Sequence, residues 1–254
     1  DSVFASLDDS AEYIKTQEGY ADYYSDFGWF GSLESINNTS MFKLFMLSDS
    51  ELQLEGFPVD VASTVFDLPY GWNWIGYTPQ SQININQALS NIPLGNAEYI
   101  KSQFAYSDFY EGFQWFGSLE VMDPFFGYQL FLNTPTQFTY NEIFNGISTN
   151  NVLSNIFHSE DSGFYSVNPK EFEYSGSITA ALYIDGVRVN SNDYILAAFD
   201  GNKCVGYKEG LIFPEDLNTI YNLLIYNNSV SKDLTYEVTE ISTGKTYKVN
   251  NNTI

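Results

Sequence analysis

Alternation of bulky apolar residues with small or polar ones runs through much of the chain and predicts β-strands. Gly71–Tyr77 and Phe42–Leu47 both follow this period of two, which is typical of half-buried strands. Asn86–Ile92 instead predicts a two-turn helix with an asparagine N-cap, and Asp1–Leu7 is its counterpart nearer the start of the chain.

One stretch of the sequence occurs twice at an offset of 86 residues. Ala11–Gln17 matches Ala97–Gln103, and Trp29–Glu34 matches Trp115–Glu120. The register continues through Phe42–Phe45. This period is longer than the repeats of solenoids and propellers, so it indicates two copies of a small domain. We expect each copy to be mostly β with one short helix.

The sequence changes character after the second copy. Leu182–Val189 is a hairpin pattern about Asp185-Gly186, the pair that a type I′ turn favours. Short strands follow at the spacing of an antiparallel sandwich, at Tyr194–Phe199, Lys203–Tyr207, Tyr221–Tyr226, Leu234–Thr239 and Lys245–Val249. The predicted domains are a first repeat (1–60), a second repeat (61–144), a linker (145–168) and a sandwich (169–254).

These motifs carry a resemblance. Gly71-Trp-Asn-Trp-Ile75, Glu98-Tyr-Ile-Lys-Ser-Gln103 and Trp115-Phe-Gly-Ser-Leu119 resemble a repeat of large secreted, multi-repeat microbial surface proteins. Residues Tyr183–Gly186, with the strands after them, resemble an immunoglobulin-like module often found downstream of such repeats. The resemblance implies an extracellular location at the cell surface and a structural or adhesive role, with no catalytic motif. The first copy departs from the pattern because it has no Gly-Trp-Asn-Trp segment.

Charge excludes several partners. The chain carries 10 Lys and Arg against 32 Asp and Glu, a net charge of −22, which repels phosphate backbones and anionic lipids. No apolar run approaches the length of a membrane span, so we expect neither nucleic-acid binding nor membrane insertion. The chain begins Asp1-Ser2-Val3 without an initiator Met, as expected of a mature or excised product whose targeting segment has been removed.

Residues for catalysis are sparse, and we expect no enzyme. His158 is the only histidine and lies in a polar stretch without an adjacent nucleophile motif, so an exposed loop histidine is the simpler interpretation. A carboxylate pair for glycoside hydrolysis stays open, because 32 acidic residues always permit some pair. We expect no cofactor. Calcium is the one alternative, with oxygen ligands from acidic turns at Asp8, Asp9, Asp185, Asp200 and Asn202.

The four tryptophans allow two interpretations. Trp29, Trp72, Trp74 and Trp115 lie in segments with the period of a strand, which favours a place in the core. The alternative is a platform on which sugar rings stack.

Four Asn-x-Ser/Thr acceptors fall in predicted turns or at the C-terminus, so we expect covalent glycans. The acceptors are Asn37, Asn38, Asn227 and Asn251.

The missing strand of the first copy leads to a functional hypothesis. A sheet without it would expose unpaired backbone groups and an apolar slot at Tyr13–Gln17 or Phe42–Leu47. A strand from a neighbouring subunit would fill the slot, and Thr246–Ile254 is one candidate donor. The alternative is that the chain continues N-terminal to Asp1 and supplies this strand itself. The expected function is a structural subunit of an extracellular fibril or surface layer, a head-to-tail homopolymer. The alternative is a carbohydrate-binding adhesive module of a secreted surface protein.

Overall fold

The protein is mainly β, with several antiparallel sheets and one short α-helix among the residues described. A computed structural model describes residues 2–54, 56–141, 160–229 and 233–249. The chain forms two compact units. The first comprises the described parts of Asp1–Ser102, Asp108–Trp115 and Leu119–Ile147, and the second those of Gln103–Ser107, Phe116–Ser118 and Ser148–Ile254.

The first repeat forms a four-stranded antiparallel sheet. Its strands are β1 (Ala11–Lys15), β2 (Tyr20–Tyr24), β3 (Gly28–Gly31) and β4 (Lys43–Met46). They are ordered β3-β2-β1-β4, so β4 forms one edge of the sheet. The short helix predicted near the start is a 3₁₀ turn at Ser2–Phe4.

The second repeat forms a five-stranded sheet with additional short ladders. The elements are β5 (Phe66–Leu68), β6 (Gly71–Gly76), β7 (Ile83–Asn84), α1 (Ile85–Ala88), β8 (Ala97–Lys101), β9 (Tyr106–Tyr110), β10 (Gln114–Gly117), β11 (Val121–Met122), β12 (Gly127–Leu132) and β13 (Thr136–Phe138). The main sheet has the order β10-β9-β8-β12-β6, while β7 pairs with β11 and β5 pairs with β13.

Helix α1 is shorter than predicted and begins earlier in the chain. Its N-cap is Asn84, whose side chain accepts a hydrogen bond from the Asn86 amide at 3.0 Å. Asn86 lies inside the helix, and its side chain makes paired hydrogen bonds with the backbone of Trp115, at 3.2 Å to the carbonyl and 2.7 Å from the amide. The asparagine that the sequence identified as a cap therefore fixes β10 instead.

The second unit contains an antiparallel β-sandwich. Its strands, with one preceding hairpin, are β14 (Glu160–Asp161), β15 (Ser166–Val167), β16 (Tyr174–Ala180), β17 (Tyr183–Ile184), β18 (Val187–Arg188), β19 (Tyr194–Asp200), β20 (Lys203–Glu209), β21 (Leu211–Ile212), β22 (Thr219–Asn227), β23 (Thr235–Glu240) and β24 (Lys245–Lys248). One sheet has the order β16-β22-β21 and the other β20-β19-β23-β24. Side chains of both sheets share one core, which includes Leu196, Val205, Leu223 and Val238.

Two hairpin turns of the sandwich, between β17 and β18 and between β19 and β20, contain glycine at positive φ. Asp185 and Gly186 have φ of 49° and 79°, which confirms the predicted type I′ turn between β17 and β18. The next loop differs from the prediction. Asp200 pairs with Lys203, so the loop residues are Gly201 and Asn202. Gly201 alone has positive φ, 60°, which fits a type II′ turn.

Candidate strand-docking site

The sheets of the two repeats differ by one strand. In the second repeat β6 pairs with β12 along six residues, from Gly76 opposite Gly127 to Gly71 opposite Leu132. β4 of the first repeat is the counterpart of β12 at the 86-residue offset. β4 pairs only with β1 within the described residues, and its other side ends the sheet.

Backbone polar groups of β4 point toward this edge. The Leu47 amide donates to the Ser10 carbonyl at 2.7 Å, and the Thr16 hydroxyl donates to the Met41 carbonyl at 3.0 Å. Both bonds lie on the β1 side of the strand. Because successive residues of a strand direct their N–H and C=O groups to opposite sides, Leu44 and Met46 direct theirs away from β1. Leu130 and Leu132, their counterparts, pair there with Asn73 and Gly71.

We call this surface the open edge; it consists of β4 together with Leu52 and Leu54, which follow it in the chain. The core-side residues of β12, Tyr128, Leu130 and Leu132, are at most 1% exposed. Their counterparts in the first repeat, Phe42, Leu44 and Met46, are only half-buried. The core-side residues of the strand that β6 pairs with are therefore buried in the second repeat, and their counterparts in the first repeat are partly exposed.

Aromatic residues on the other face of the sheet show the same difference. In the second repeat the Trp72 ring stands edge-on to Tyr99 and Phe131, with centroids 5.5 and 5.3 Å away. The first repeat has Tyr13 and Phe45 at the matching positions, stacked on each other at 5.3 Å with parallel planes. Phe45 is 42% exposed. The first repeat thus has counterparts of both rings that contact Trp72.

A second part of the open edge lies beyond β4. Phe138 and Tyr140 follow β12, are at most 4% exposed, and both contact the Phe66 ring of β5 at centroid distances of 5.0 and 5.2 Å. Leu52 and Leu54 occupy the matching positions and are 40% and 60% exposed.

A side chain from the segment before β1 or β8 bonds to the backbone of this second part in each repeat, although the bonds differ in direction. The Gln53 amide donates to the Ser6 hydroxyl at 3.0 Å, and Asn91 donates from its side chain to the Thr139 carbonyl at 3.0 Å. Gln53 and Thr139 are 86 residues apart. Each repeat thus holds this stretch against the segment that precedes its first long strand.

Lysines border the aromatic face in both repeats. Lys101 Nζ lies 5.9 Å from the Trp72 ring centroid, and Lys15 Nζ lies 5.6 Å from that of Tyr13. Lys43 Nζ lies 5.2 Å from the Trp74 ring. Burial, and secondarily the charge of Lys43, lower the pKa of Lys101 to about 8. These cations are a large share of the positive charge of a strongly acidic chain.

The outer side of β6 contacts the first repeat. The Gln17 side chain bonds to the β6 backbone there as a neighbouring strand would. Its Nε2 donates to the Trp72 carbonyl and its Oε1 accepts from the Trp74 amide, both at 2.8 Å. The Met41 amide also donates to the Trp74 carbonyl at 3.1 Å. Glycine is needed at position 76, where a Cβ would lie 2.6 Å from the Asn38 carbonyl oxygen. β6 therefore has partners on both of its edges.

The four tryptophans occupy different environments. Trp115 is 7% exposed and stands edge-on to Phe109 at 5.4 Å. Trp29 is half-buried and contacts Phe4 at 5.2 Å, and Trp74 is half-buried under Lys43. Trp72 is 44% exposed. The structure thus places Trp115 in the core. Trp72 lies at the surface of the second repeat, beside the strand that corresponds to β4.

Two of the glycosylation candidates lie in the loop between β3 and β4, and a third lies at the end of a strand. Asn37 and Asn38 are exposed, and Asn37 Oδ1 accepts hydrogen bonds from the Thr39 and Ser40 amides at 3.0 and 2.8 Å. Asn227 is half-buried at the end of β22. The fourth candidate, Asn251, lies outside the described residues, as does His158.

The calcium candidates Asp185 and Asp200 lie at two hairpins of the sandwich. Asp185 occupies the type I′ turn, and Asp200 pairs with Lys203. In the described parts of the chain, no group of three or more His, Cys, Asp or Glu side chains is arranged to hold a metal ion.

No helix in the part of the chain that the structure describes has the length and apolar character to cross a membrane. Comparisons with protein families, with curated proteins and with solved structures found no match to the chain.

Proposed function

We propose that the protein is a structural subunit of an extracellular fibril or surface layer, in which subunits join head to tail by β-strand complementation. The observation that carries the proposal is the open edge of the first repeat. The equivalent edge in the second repeat, that of β12, is paired with β6. Strand addition supplies main-chain hydrogen bonds and seats alternate side chains in existing pockets.

A contact between the open edge of one subunit and a donor strand of the next is heterologous, because two different surfaces meet. Such contacts propagate into filaments unless the rotation between subunits closes a ring. The subunit acts as a glycosylated spacer without catalytic activity. Its repeated β domains and its resemblance to multi-repeat surface proteins support an extracellular location at the cell surface.

Electron microscopy of the purified chain tests the proposal. We expect filaments, and we expect Phe45→Lys to abolish them, because it places a charge in the centre of the open edge. The matched control is Phe30→Lys in β3, on the opposite edge of the same sheet, where Phe30 is 75% exposed. Circular dichroism checks that both variants fold. Filaments of Phe45→Lys that match the unmodified chain in length and number would contradict strand complementation at β4.

One observation favours the second candidate function, a carbohydrate-binding adhesive module. Tyr70 and Trp72 are 66% and 44% exposed and both contact the Phe131 ring, at 6.0 and 5.3 Å. Exposed aromatic faces of this kind suit the C–H face of a sugar ring. A glycan array decides between the two functions: binding that Trp72→Ala removes would support the adhesive module.

A further inference from the structure

We propose that one face of the first compact unit binds a polyuronate, an acidic polysaccharide with one carboxylate on each sugar ring. This inference goes beyond the fibril function. It rests on the second candidate function, the carbohydrate-binding module, because it names the ligand class for the face that includes Trp72. Its basis is the position of the lysines, the aromatic rings beside them and the charge of the surrounding chain.

The lysines of the two repeats gather on one face. The first 169 residues contain Lys15, Lys43 and Lys101 and no arginine. Lys15 lies opposite Lys43 in the β1–β4 ladder, and Lys101 lies opposite Gln129 in the β8–β12 ladder. Gln129 also lies opposite Trp74, whose ring is 5.2 Å from Lys43 Nζ. Because residues directly opposite each other in neighbouring strands share a face, all three lysines lie on the same side of the unit.

Each of these lysines lies beside an aromatic ring. The pair at Trp74 is one of three, since Lys101 Nζ lies 5.9 Å from the Trp72 ring and Lys15 Nζ lies 5.6 Å from that of Tyr13. We call the three lysines and their three rings the lysine face. An aromatic ring suits the apolar C–H face of a sugar, and an ammonium group donates charge-assisted hydrogen bonds to a carboxylate. The lysine face therefore combines the two groups that an acidic sugar needs.

Two of the lysines are close enough for their charges to repel each other. Burial, and secondarily the charge of Lys43, lower the pKa of Lys101 to about 8. The rings beside these two lysines are two residues apart on β6, on the same side of that strand. The carboxylates of Asp22 and of its repeat counterpart Asp108 belong to β2 and β9, which lie outside β1 and β8. An anion at β6 thus relieves the repulsion of the lysines and stays apart from these acids.

The charge of the chain favours an anion of low charge density. Residues 1–144 contain 19 Asp and Glu against three lysines, so a polyanion is repelled by most of this part of the chain. The lysine face offers one ammonium group for each ring. A uronic acid likewise carries one carboxylate on each ring, and its charges are matched. A highly sulfated sugar brings several charges per ring, and the excess stays unpaired in an acidic field.

Calorimetry with the full chain tests the inference. The probe is a hexamer of galacturonic acid, and the matched neutral ligand is a hexamer of galactose with the same linkage. We expect the charged hexamer to bind at least about tenfold more tightly, since one charge-assisted hydrogen bond has about this effect. Added salt should weaken the binding of the charged hexamer, because it screens the lysines.

Variants test whether binding occurs at the lysine face. Lys43→Gln and Lys101→Gln should each weaken binding of the charged hexamer about tenfold, whereas Lys43→Arg, which keeps the charge, should retain it. The matched control is Lys245→Gln in the sandwich, since Lys245 Nζ also lies over a ring, that of Tyr247, at 4.6 Å. It should leave binding unchanged, and circular dichroism checks that every variant folds. Equal effects of Lys245→Gln and Lys43→Gln would overturn the inference, because binding would then follow net charge.

The remaining outcomes separate this inference from both functions proposed above. If the neutral hexamer binds as tightly as the charged one and Trp72→Ala removes both, the adhesive function stands and the acidic ligand is wrong. If a highly sulfated hexamer or polyglutamate binds as tightly as the uronate, the inference is overturned, because the face then recognises negative charge of any kind. If neither hexamer binds, the inference is also overturned, while the glycan array and electron microscopy still decide the two functions.

Discussion

The hydrogen bonds of Gln17 give a sharp test of how the repeats are joined. Gln17→Ala removes two bonds to the β6 backbone, each 2.8 Å long. A typical hydrogen bond contributes about 0.5–1.5 kcal/mol, so we expect a loss of roughly 1–3 kcal/mol in the local stability of β6. Gln17 is exposed, and water can replace part of the loss, which favours the lower half of this range. Gln17→Glu should cost more, because a carboxylate oxygen would then face the Trp72 carbonyl.

Amide hydrogen exchange measures this loss of local stability at the β6 amides themselves. The Trp74 amide loses its acceptor in Gln17→Ala, so its exchange should accelerate by roughly tenfold, which corresponds to about 1.4 kcal/mol. Gln103→Ala is the matched control, since Gln103 is the repeat counterpart of Gln17 and its side chain is exposed. It should leave the exchange of Trp74 unchanged. Equal exchange of Trp74 in Gln17→Ala and the unmodified chain would refute the proposed role of this side chain.

Three further predictions concern the core, the lysines and the glycans. Trp115→Ala should lower the free energy of unfolding by about 3–5 kcal/mol in denaturant titrations. Trp29→Ala, at the half-buried counterpart in the first repeat, should lower it by less; an equal or larger loss for Trp29→Ala would contradict the difference in burial. The lowered pKa of Lys101 means that the unfolded chain holds this proton more tightly, so stability should rise between pH 8 and 10 by about 1–2 kcal/mol, and Lys101→Met should abolish the rise. Intact-mass spectrometry before and after N-glycosidase should show glycans at Asn227 and at one of Asn37 or Asn38, and an unmodified mass of 28.8 kDa from the native source would contradict this.

Strands and one turn could be predicted because their signals are local. Alternation identified β6 and β22 to within two residues at each end, and Asp185-Gly186 specified its turn through backbone preference alone. The second turn lies one residue later than predicted, at Gly201-Asn202. A bulge between Ala198 and Phe199 shifts the register of β19 on β20 by one residue, and nothing in the local sequence signals it.

The candidate site was predictable in part. The repeat offset predicted one strand fewer in the sheet of the first repeat, and among the described residues that sheet has four strands and the other five. Leu52 and Leu54 were missed, because their counterparts Phe138 and Tyr140 differ in identity and the comparison of the repeats ended at the last matching residues. Extending the same offset by seven to nine residues beyond Phe45 would have found them. Gln17 was missed although it is identical in both repeats, since a side chain that replaces backbone pairing leaves no periodic signal.

An exposed strand edge is ordinarily an aggregation hazard, and features of this chain restrict what can pair with it. β4 has only four residues, which limits the main-chain hydrogen bonds available to an arbitrary strand. Copies of the chain also repel each other, since each carries a net charge of −22. Main-chain pairing alone is therefore a weak source of affinity. A strand that docks there as proposed would have to add side-chain contacts on both faces of β4 and on Leu52 and Leu54, and this requirement would make the open edge selective for a matching strand.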